Sequence, residues 1–414
     1  MIEGIKKPEL LIPGGNLETL KTAVIYGADA VYIGGDMYGL RAKAKNFSME
    51  DMKEGIHFAH NHNKKVYVTA NITAHNQDLA GIRQYFRELK AFGEDCPDAL
   101  IISDPGVFSI ALEEAPGIDV HISTQANNTN YESYRFWHKL GATRVVSARE
   151  LSLKELVELR ANIPETMEIE TFIHGAMCIA YSGRCLLSNY FTGRDANLGA
   201  CTHSCRWRYH IVEETRPGEY LPLEENERGT YIFNSKDLCM IEYIPELVKA
   251  GINSFKVEGR MKTALYVATV ASTYRRAIDD YFEDPAKYEA NKACYMEEVR
   301  KGVNRQFTTG FFFHKPTHEE QIYDHNTYEK AYTYLGTISG KKEGLYELEQ
   351  KNKFCVGDTV EIIRPYKDMI KTTIKRITDD QGNDMESCPH PQQRIYVDFG
   401  IELEVFDMIR RKEE

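Results

Sequence analysis

The feature of this sequence that most constrains its fold is a repeated alternation of short apolar runs with longer amphipathic stretches. The apolar runs, rich in β-branched residues, predict eight strands at residues 9–12, 30–33, 65–70, 99–103, 119–123, 144–147, 168–173 and 253–257. Amphipathic stretches between them predict helices, for example at residues 17–26, 49–61, 78–92, 131–140 and 153–163. This α/β alternation over about 250 residues predicts a parallel (β/α)8 TIM-like barrel. An open doubly wound sheet is the alternative, although no Gly-x-Gly-x-x-Gly fingerprint follows the first predicted strand.

The connection after the seventh predicted strand is much longer than the others. About sixty residues separate that strand from a helix expected around residues 237–250, and long loops in compact domains are usually functional. In a barrel this loop lies over the C-terminal ends of the strands, where active sites are built. We therefore predict a barrel domain at residues 1–330, with a cysteine-bearing insert at about residues 175–236. Short strands separated by turn residues predict a small C-terminal β-barrel domain at residues 331–414.

Charge and hydropathy limit the class of protein. The chain has 51 lysines and arginines against 62 aspartates and glutamates, a net charge of −11, which argues against nucleic-acid binding through bulk charge. A local basic patch is compatible with this total. No run approaches the ~20 apolar residues of a membrane span, and the N-terminus has no apolar signal region. We expect a cytoplasmic enzyme without a membrane or DNA partner.

The nine cysteines are unevenly distributed, since five of them lie between Cys178 and Cys239. Six residues separate Cys178 from Cys185, and three separate Cys201 from Cys205. Four thiolates can hold either zinc or an iron–sulfur cluster. Structural zinc sites favour two tightly spaced pairs, which the six-residue gap fits poorly, so a cluster is the favoured interpretation. Buried cysteines without a ligand role are the third interpretation.

Four stretches carry a recognisable pattern, namely residues 170–178 (ETFIHGAMC), 183–188 (GRCLLS), 235–238 (SKDL) and 256–262 (KVEGRMK). The first two together resemble the signature of the U32 peptidase (collagenase-like) family at every fixed position. The other two are similar to further stretches of the same family. The resemblance runs from the first predicted strand to about residue 313, and the β-rich tail is similar to the family's C-terminal domain.

This resemblance implies an activity other than proteolysis. The better-understood branches of the family are cluster-bearing proteins that support hydroxylation without molecular oxygen, on tRNA, ribosomal RNA or ubiquinone precursors. The chain length, residues 199–207 (GACTHSCRW) and the short β tail most resemble the tRNA branch. That branch forms 5-hydroxyuridine at the wobble position of tRNA and uses prephenate as co-substrate.

The resemblance also implies a set of ligands and partners. An iron–sulfur cluster, expected to be [4Fe–4S], would be held by Cys178, Cys185, Cys201 and Cys205, with Cys239 in reserve for the fourth thiolate. The expected partners are the anticodon arm of tRNA, prephenate and a paralogous partner protein. The alternatives are a U32-type peptidase, a hydroxylation protein acting on ribosomal RNA, and a scaffold in which a metal only staples the insert.

Protease chemistry finds little support in the residues. Neither a Gly-x-Ser-x-Gly elbow nor a His-Glu-x-x-His helix occurs in the sequence. A cysteine protease needs a free thiolate with a histidine partner. His174 is near Cys178 in the sequence, but ligation by a cluster would remove that thiolate from use.

Polar residues follow several predicted strands and would meet at the rim of the barrel. We expect His174, Lys256 and Glu258 to be catalytic. The residues expected to bind substrate are Gln125, Arg149, Arg184, Lys236 and Arg260, whose cations would suit a small dianion. The structural alternative is that such groups cap helices or pair charges, for example Glu258 with Arg260.

The best local signal for RNA binding is Arg206-Trp207-Arg208, directly after Cys205. Aromatic and guanidinium planes stack on splayed bases while the cations hold phosphates. The alternative is that Trp207 packs under the insert and the arginines are only solvated.

Overall fold

The computed structural model describes residues 4–36, 38, 46–178, 180–182, 184–194, 196, 200–207, 225–226, 229–230, 235–316, 331–390 and 392–413. The strands are β1 (Glu9–Pro13), β2 (Ala30–Gly34), β3 (Lys65–Ala70), β4 (Ala99–Ile102), β5 (Asp119–Ile122), β6 (Arg144–Val146), β7 (Glu168–Ala176), β8 (Glu225–Asn226), β9 (Gly229–Thr230), β10 (Asp237–Cys239), β11 (Ser254–Val257), β12 (Phe307–Thr308), β13 (Tyr332–Lys342), β14 (Leu345–Gln350), β15 (Thr359–Ile363), β16 (Ile370–Thr373), β17 (Arg376–Thr378), β18 (Asp384–Met385), β19 (Arg394–Asp398) and β20 (Met408–Lys412). The helices are α1 (Leu17–Ile25), α2 (Met49–Asn61), α3 (Leu79–Lys90), α4 (Pro105–Glu114), α5 (Tyr131–Leu140), α6 (Leu153–Asn162), α7 (Leu187–Thr192), α8 (Ile244–Lys249), α9 (Ala264–Glu283) and α10 (Pro285–Arg300).

Eight parallel strands form a closed barrel. Strands β1 to β7 pair in sequence order, and β11 closes the ring by pairing with both β7 and β1. Buried apolar side chains of the strands and the surrounding helices form one large core between the two layers. The predicted TIM-like barrel is therefore confirmed, and the open doubly wound sheet is excluded.

Several helices begin at capping residues on the rim of the barrel. The side chain of Asn16 accepts a hydrogen bond from the Thr19 N–H, and Thr19 Oγ1 accepts one from the Asn16 N–H. Ser152 and Glu155 make the same reciprocal arrangement at the start of α6. A capping residue of this kind typically contributes about 1 kcal/mol. These caps fix the loops that carry the polar residues of the rim.

The segment after the insert differs from the sequence prediction. Instead of a helix from residue 237, residues Asp237–Cys239 form β10, which runs antiparallel to the end of β7, and only Ile244–Lys249 are α-helical. Strand β7 extends to Ala176, beyond its pairing with β11, and β10 satisfies the backbone groups that this extension leaves open. Pro245 lies in the first turn of α8, where its missing N–H is tolerated.

The C-terminal region is an antiparallel sheet of eight strands in the order β16-β15-β20-β13-β14-β19-β17-β18. It forms a half-barrel with its own apolar core, which includes Leu335, Phe354 and Phe399. Tyr26 of the barrel domain ties the two regions together, because its hydroxyl lies 3.0 Å from the Ile363 carbonyl oxygen and 2.8 Å from that of Phe406. None of the helices in the described ranges is long and apolar enough to span a membrane.

Candidate functional site

A cavity of about 70 Å³ opens at the C-terminal ends of the barrel strands, and we call it the rim cavity. Because all barrel strands are parallel, the polar residues that follow them converge at this end. One residue of the insert, Ser182, completes the wall. The lining residues are Tyr32, Thr69, Asn71, Ile101, Ser123, Thr124, Gln125, Arg149, Phe172, Ser182, Lys256, Glu258 and Arg260. Five of the eight residues predicted to be catalytic or substrate-binding are among them.

Lys256 projects from β11 into a network of buried charges. Its Nζ donates a 2.7 Å hydrogen bond to Glu170 Oε1 and lies 4.5 Å from the centre of the Tyr32 ring. Glu170 is fully buried and also lies 3.1 Å from Arg144. Arg144 also pairs with Glu9 at 2.6 Å. Burial acts to raise the pKa of the Glu9 carboxyl, but the charge and hydrogen bond of Arg144, together with hydrogen bonds from Tyr67 and Ser254, hold that pKa below its usual value. Because an unpaired buried charge is costly, these pairs fix the position of the Lys256 ammonium group.

Arg149 and Glu258 form an ion pair in the cavity wall. Arg149 Nη2 lies 3.0 Å from Glu258 Oε2, and its guanidinium lies 4.0 Å from the centre of the Phe172 ring. The backbone of β7 allows Glu258 to approach closely, because Gly175 has a φ of 105° and a Cβ at this position would overlap Glu258. Gly175 belongs to the ETFIHGAMC stretch, so this motif glycine has a steric role beside the cavity.

Arg260 extends from the loop after β11 towards the ends of β2 and β3. Its Nη1 donates to Thr69 Oγ1 at 3.2 Å, and its Nη2 donates to Asn46 Oδ1 at 2.9 Å. The guanidinium lies against Gly34, where a Cβ would overlap it. These contacts hold the planar fork of Arg260 in a fixed orientation beside the rim cavity.

Two amides at the end of β5 have buried oxygen atoms. Gln125 Oε1 and Asn127 Oδ1 accept no hydrogen bond from the residues that the structure describes. Buried acceptors are normally satisfied, so Gln125 Oε1, which belongs to a lining residue, has the chemistry to accept a hydrogen bond from a ligand. Asp104 differs, because its carboxylate caps α4 by accepting the Val107 N–H at 2.9 Å. Asp104 therefore has a structural role as a helix cap.

Three of the predicted residues do not line the rim cavity. The His174 ring packs against α9, with Nδ1 3.3 Å from the Tyr274 hydroxyl. Burial and, secondarily, the charge of Lys262 lower the pKa of His174 to about 3, so this ring is neutral near pH 7. The pairing register of β7 with β11 shifts at this point, which accounts for the side chain facing the helix layer. Arg184 is exposed on the insert, and Lys236 is half-buried just before β10.

The proposed cluster ligands all lie on the insert. Cys178 is exposed, and Cys185, Cys201 and Cys205 are half-buried. The segments that follow Cys185 and Cys201 lie side by side, because Ser188 Oγ accepts the Thr202 N–H at 3.0 Å. Among the described residues, no group of three or more His, Cys, Asp or Glu side chains is placed to hold a metal ion. In donor chemistry the four thiols fit an iron–sulfur cluster, which commonly takes four cysteines.

Cys239 fits this role less well. It is buried on β10, and its sulfur lies 3.8 Å from the Tyr274 hydroxyl. Burial raises the pKa of the Cys239 thiol to about 12, and the ligand form of cysteine is the thiolate. Its environment therefore favours a neutral core thiol, which leaves Cys205 as the candidate for the fourth ligand.

The predicted RNA-binding residues lie only partly within the described residues. Trp207 is 41% exposed, with its ring centre 6.3 Å from that of Phe191, so it is not packed under the insert. The side chain of Arg206 and all of Arg208 lie outside the described residues. Sequence reasoning missed the exposed apolar neighbours on the insert, which are Tyr181, Leu186, Tyr190 and Phe191. The available signal was the presence of large apolar residues in a long loop with no predicted strand or helix to bury them.

The fold and the site define a TIM-barrel protein with a charged cavity at the strand ends and a cysteine-bearing insert beside it. Residues 15–322 match Peptidase family U32, and residues 330–410 match the Peptidase family U32 C-terminal domain. The chain therefore belongs to the U32 peptidase family.

Three curated relatives are informative. The chain is 43% identical to tRNA hydroxylation protein P1 of Bacillus subtilis over 98% of this chain and 95% of the relative. It is 38% identical to tRNA hydroxylation protein P of Escherichia coli over 96% of this chain and 95% of the relative. It is also 36% identical to the 23S rRNA 5-hydroxycytidine C2501 synthase of Escherichia coli, but over 67% of this chain and 40% of that protein.

Proposed function

We propose that this protein is a tRNA-modifying enzyme that forms 5-hydroxyuridine at the wobble position, with prephenate as co-substrate and a [4Fe–4S] cluster as cofactor. The observation that carries the proposal is the 43% identity to tRNA hydroxylation protein P1 over 98% of this chain. A ribosomal RNA substrate has weaker support, because the chain covers only 40% of the rRNA synthase that it resembles.

The residues of the rim cavity support the proposal of a carboxylate-bearing co-substrate. Arg149, Lys256 and Arg260 place three cations around it, and the planar fork of arginine suits bidentate carboxylate binding. Gln125 Oε1 adds an acceptor for a ligand hydroxyl. The volume of about 70 Å³ suits one carboxylate-bearing end of a small molecule, since a single water occupies roughly 30 Å³. The remainder of the ligand would extend towards the insert.

Lys256 and Glu258 are the groups that we assign to proton movement. Both line the cavity, and each is held by a partner of opposite charge, Lys256 by Glu170 at 2.7 Å and Glu258 by Arg149 at 3.0 Å. Acid and base groups need such fixed positions within reach of the reacting atoms. For His174, whose ring is neutral and faces α9, we propose a structural role.

The cluster would be held by Cys178, Cys185, Cys201 and Cys205 and would supply redox-active or Lewis-acidic iron near the rim. The chain's contribution is to bring this insert to the cavity, since Ser182 lies in the cavity wall between two of the proposed ligands in sequence. The target base would have to leave its stack to reach this position.

Nucleoside mass spectrometry of tRNA tests the proposal. Cells lacking this protein should lose 5-hydroxyuridine and its derivatives, and the wild-type gene should restore them. Unchanged 5-hydroxyuridine together with loss of a hydroxylated nucleoside from ribosomal RNA would move the substrate to the ribosome. Cleavage of denatured collagen by the purified protein, sensitive to substitution of Cys178, would support a peptidase instead.

A further inference from the structure

The insert exposes large apolar side chains that a solvated loop would not need. Tyr190 is 82% exposed and Leu186 is 66% exposed, and Phe191 and Trp207 are each more than 40% exposed. We call these four residues the insert platform. A contiguous exposed apolar group of this kind usually marks an interaction site, whereas single exposed apolar residues need no explanation.

The rings of the insert platform lie next to each other. Tyr190 meets Phe191 edge to face with ring centres 5.1 Å apart, and Phe191 lies 6.3 Å from Trp207. Tyr190 and Phe191 belong to the short helix α7, while Trp207 follows the 3-10 turn Ser204–Arg206. Two separate segments therefore contribute to one aromatic surface.

The charge of the sequence that carries the insert platform indicates the chemistry of its partner. Residues 178–210 contain four arginines and one aspartate, a net charge of +3, whereas residues 211–236 of the insert contain three lysines and arginines and six glutamates. Arg184 and Arg194 are exposed within the described part of this stretch. Aromatic rings interleaved with arginines are the usual surface for single-stranded nucleic acid, because bases stack on the rings and cations hold the phosphates. A neutral protein surface would leave the arginines without anionic partners, and an acidic protein surface would leave the aromatic rings without stacking partners.

The segment that leads into the insert platform reaches the rim cavity. Ser182 lines the cavity, and Tyr181 beside it is 45% exposed on the same segment. If the target base is held at the cavity, the nucleotides on either side of it in the RNA would therefore lie near the insert. We infer that the insert platform stacks the unpaired nucleotides that flank the target base in the RNA loop. This inference rests on the proposed function and extends it to how the loop is held.

Binding of an anticodon stem-loop to the full-length protein tests the inference. Tyr190→Ala should weaken binding roughly 5- to 150-fold, as expected for the loss of one base–aromatic stack, whereas Tyr190→Trp should retain it. The slope of the logarithm of the binding constant against the logarithm of the salt concentration should be unchanged in Tyr190→Ala, because no phosphate contact is lost. In Arg194→Gln the magnitude of this slope should decrease by about one. Tyr366→Ala is the matched control, since Tyr366 is a 69% exposed tyrosine of the C-terminal half-barrel.

Three outcomes overturn the inference in different ways. Binding by Tyr190→Ala within twofold of the wild type would remove the insert platform from the RNA site while leaving the proposed function intact. Failure of the wild-type protein to bind either the stem-loop or whole tRNA would defeat both proposals. If sedimentation shows that the wild-type protein is a dimer and that Tyr190→Ala is a monomer that still binds RNA, the insert platform would instead bind a second copy of this chain.

Discussion

The rim cavity and the insert are built in opposite ways. In the cavity each charged group has a fixed partner, as Lys256 has in Glu170 and Glu258 has in Arg149. On the insert the functional candidates are exposed or half-buried thiols and exposed rings, and no metal-binding group of three is gathered among the described residues. The barrel side is therefore organised by the protein fold alone.

The rim cavity is held by its own charge pairs, whereas we propose that the order of the insert depends on a bound metal group. Paired charges within a closed barrel are held by backbone geometry and by the cost of separating buried ions. Thiol ligands on a long loop are brought together when the metal group binds, so that binding and local folding become one event. We therefore expect the insert to respond to the loss of a ligand and the rim cavity to remain intact.

The largest expected effect is on the insert. Cys178→Ser should abolish the iron content and the brown colour of anaerobically purified protein, which we expect to hold about four irons per chain. The barrel should still unfold cooperatively, because Cys178 lies outside its core. Iron and sulfide analysis with absorption spectra provides the measurement.

Two matched cysteine variants make this result specific. Cys294→Ser changes an exposed cysteine of α10, and Cys239→Ser changes a buried thiol beside Tyr274, so both should keep the iron. Loss of iron in Cys239→Ser would show that Cys239 is a ligand after all. Colourless wild-type protein with one tightly bound zinc would end the cluster hypothesis.

The second effect sharpens the description of the rim cavity. Arg260→Lys should lower the kcat/KM for tRNA hydroxylation roughly 10- to 100-fold, because lysine cannot reproduce a bidentate, charge-assisted contact worth about 1.5–3 kcal/mol. Iron content and melting temperature should stay close to those of the wild type. Arg276→Lys is the control, since Arg276 is an exposed arginine on α9. Normal prephenate binding by Arg260→Ala in calorimetry would remove Arg260 from the active site.

The barrel and the polar ends of its strands were predictable from the sequence because both depend on local patterns. Apolar runs of the right length predicted β3 at residues 65–70 with its observed bounds, and Lys256, Glu258 and Arg260 follow from their place on and after β11. Because the barrel strands are parallel, these residues then meet at one cavity.

Other features depend on contacts between distant segments and were therefore not predictable. His174 faces α9 because the register shifts between β7 and β11, which no single strand reveals. Strand β10 forms because β7 extends beyond its barrel neighbour. Large apolar residues in the long loop were a signal for the exposure of Tyr190, but they did not decide it, because an apolar residue in a loop is equally compatible with a buried contact.

The smallest effect concerns the pH dependence of the barrel side. His174 is buried against Tyr274 and near the charge of Lys262, and its pKa falls to about 3 from an ordinary value of 6.5. Between pH 3 and pH 6.5 the His174 side chain binds a proton in the unfolded chain but not in the folded protein. The free energy of unfolding therefore decreases as the pH falls below 6.5. The slope for one such group is about 1.4 kcal/mol per pH unit. His174→Phe should therefore lose less stability than the wild type between pH 6.5 and pH 5.

Urea unfolding at several pH values measures this difference. Phenylalanine is close to histidine in size, and Tyr274 keeps its 3.0 Å hydrogen bond to the Ile173 carbonyl, so the variant should fold. His75→Gln, at an exposed position, should follow the wild-type curve. Parallel curves for His174→Phe and the wild type would mean that His174 becomes protonated without unfolding the barrel. In that case the end of β7 accommodates a buried charge without unfolding, and the proposed contrast between a barrel held by its fold and an insert held by a bound metal group would not include this strand.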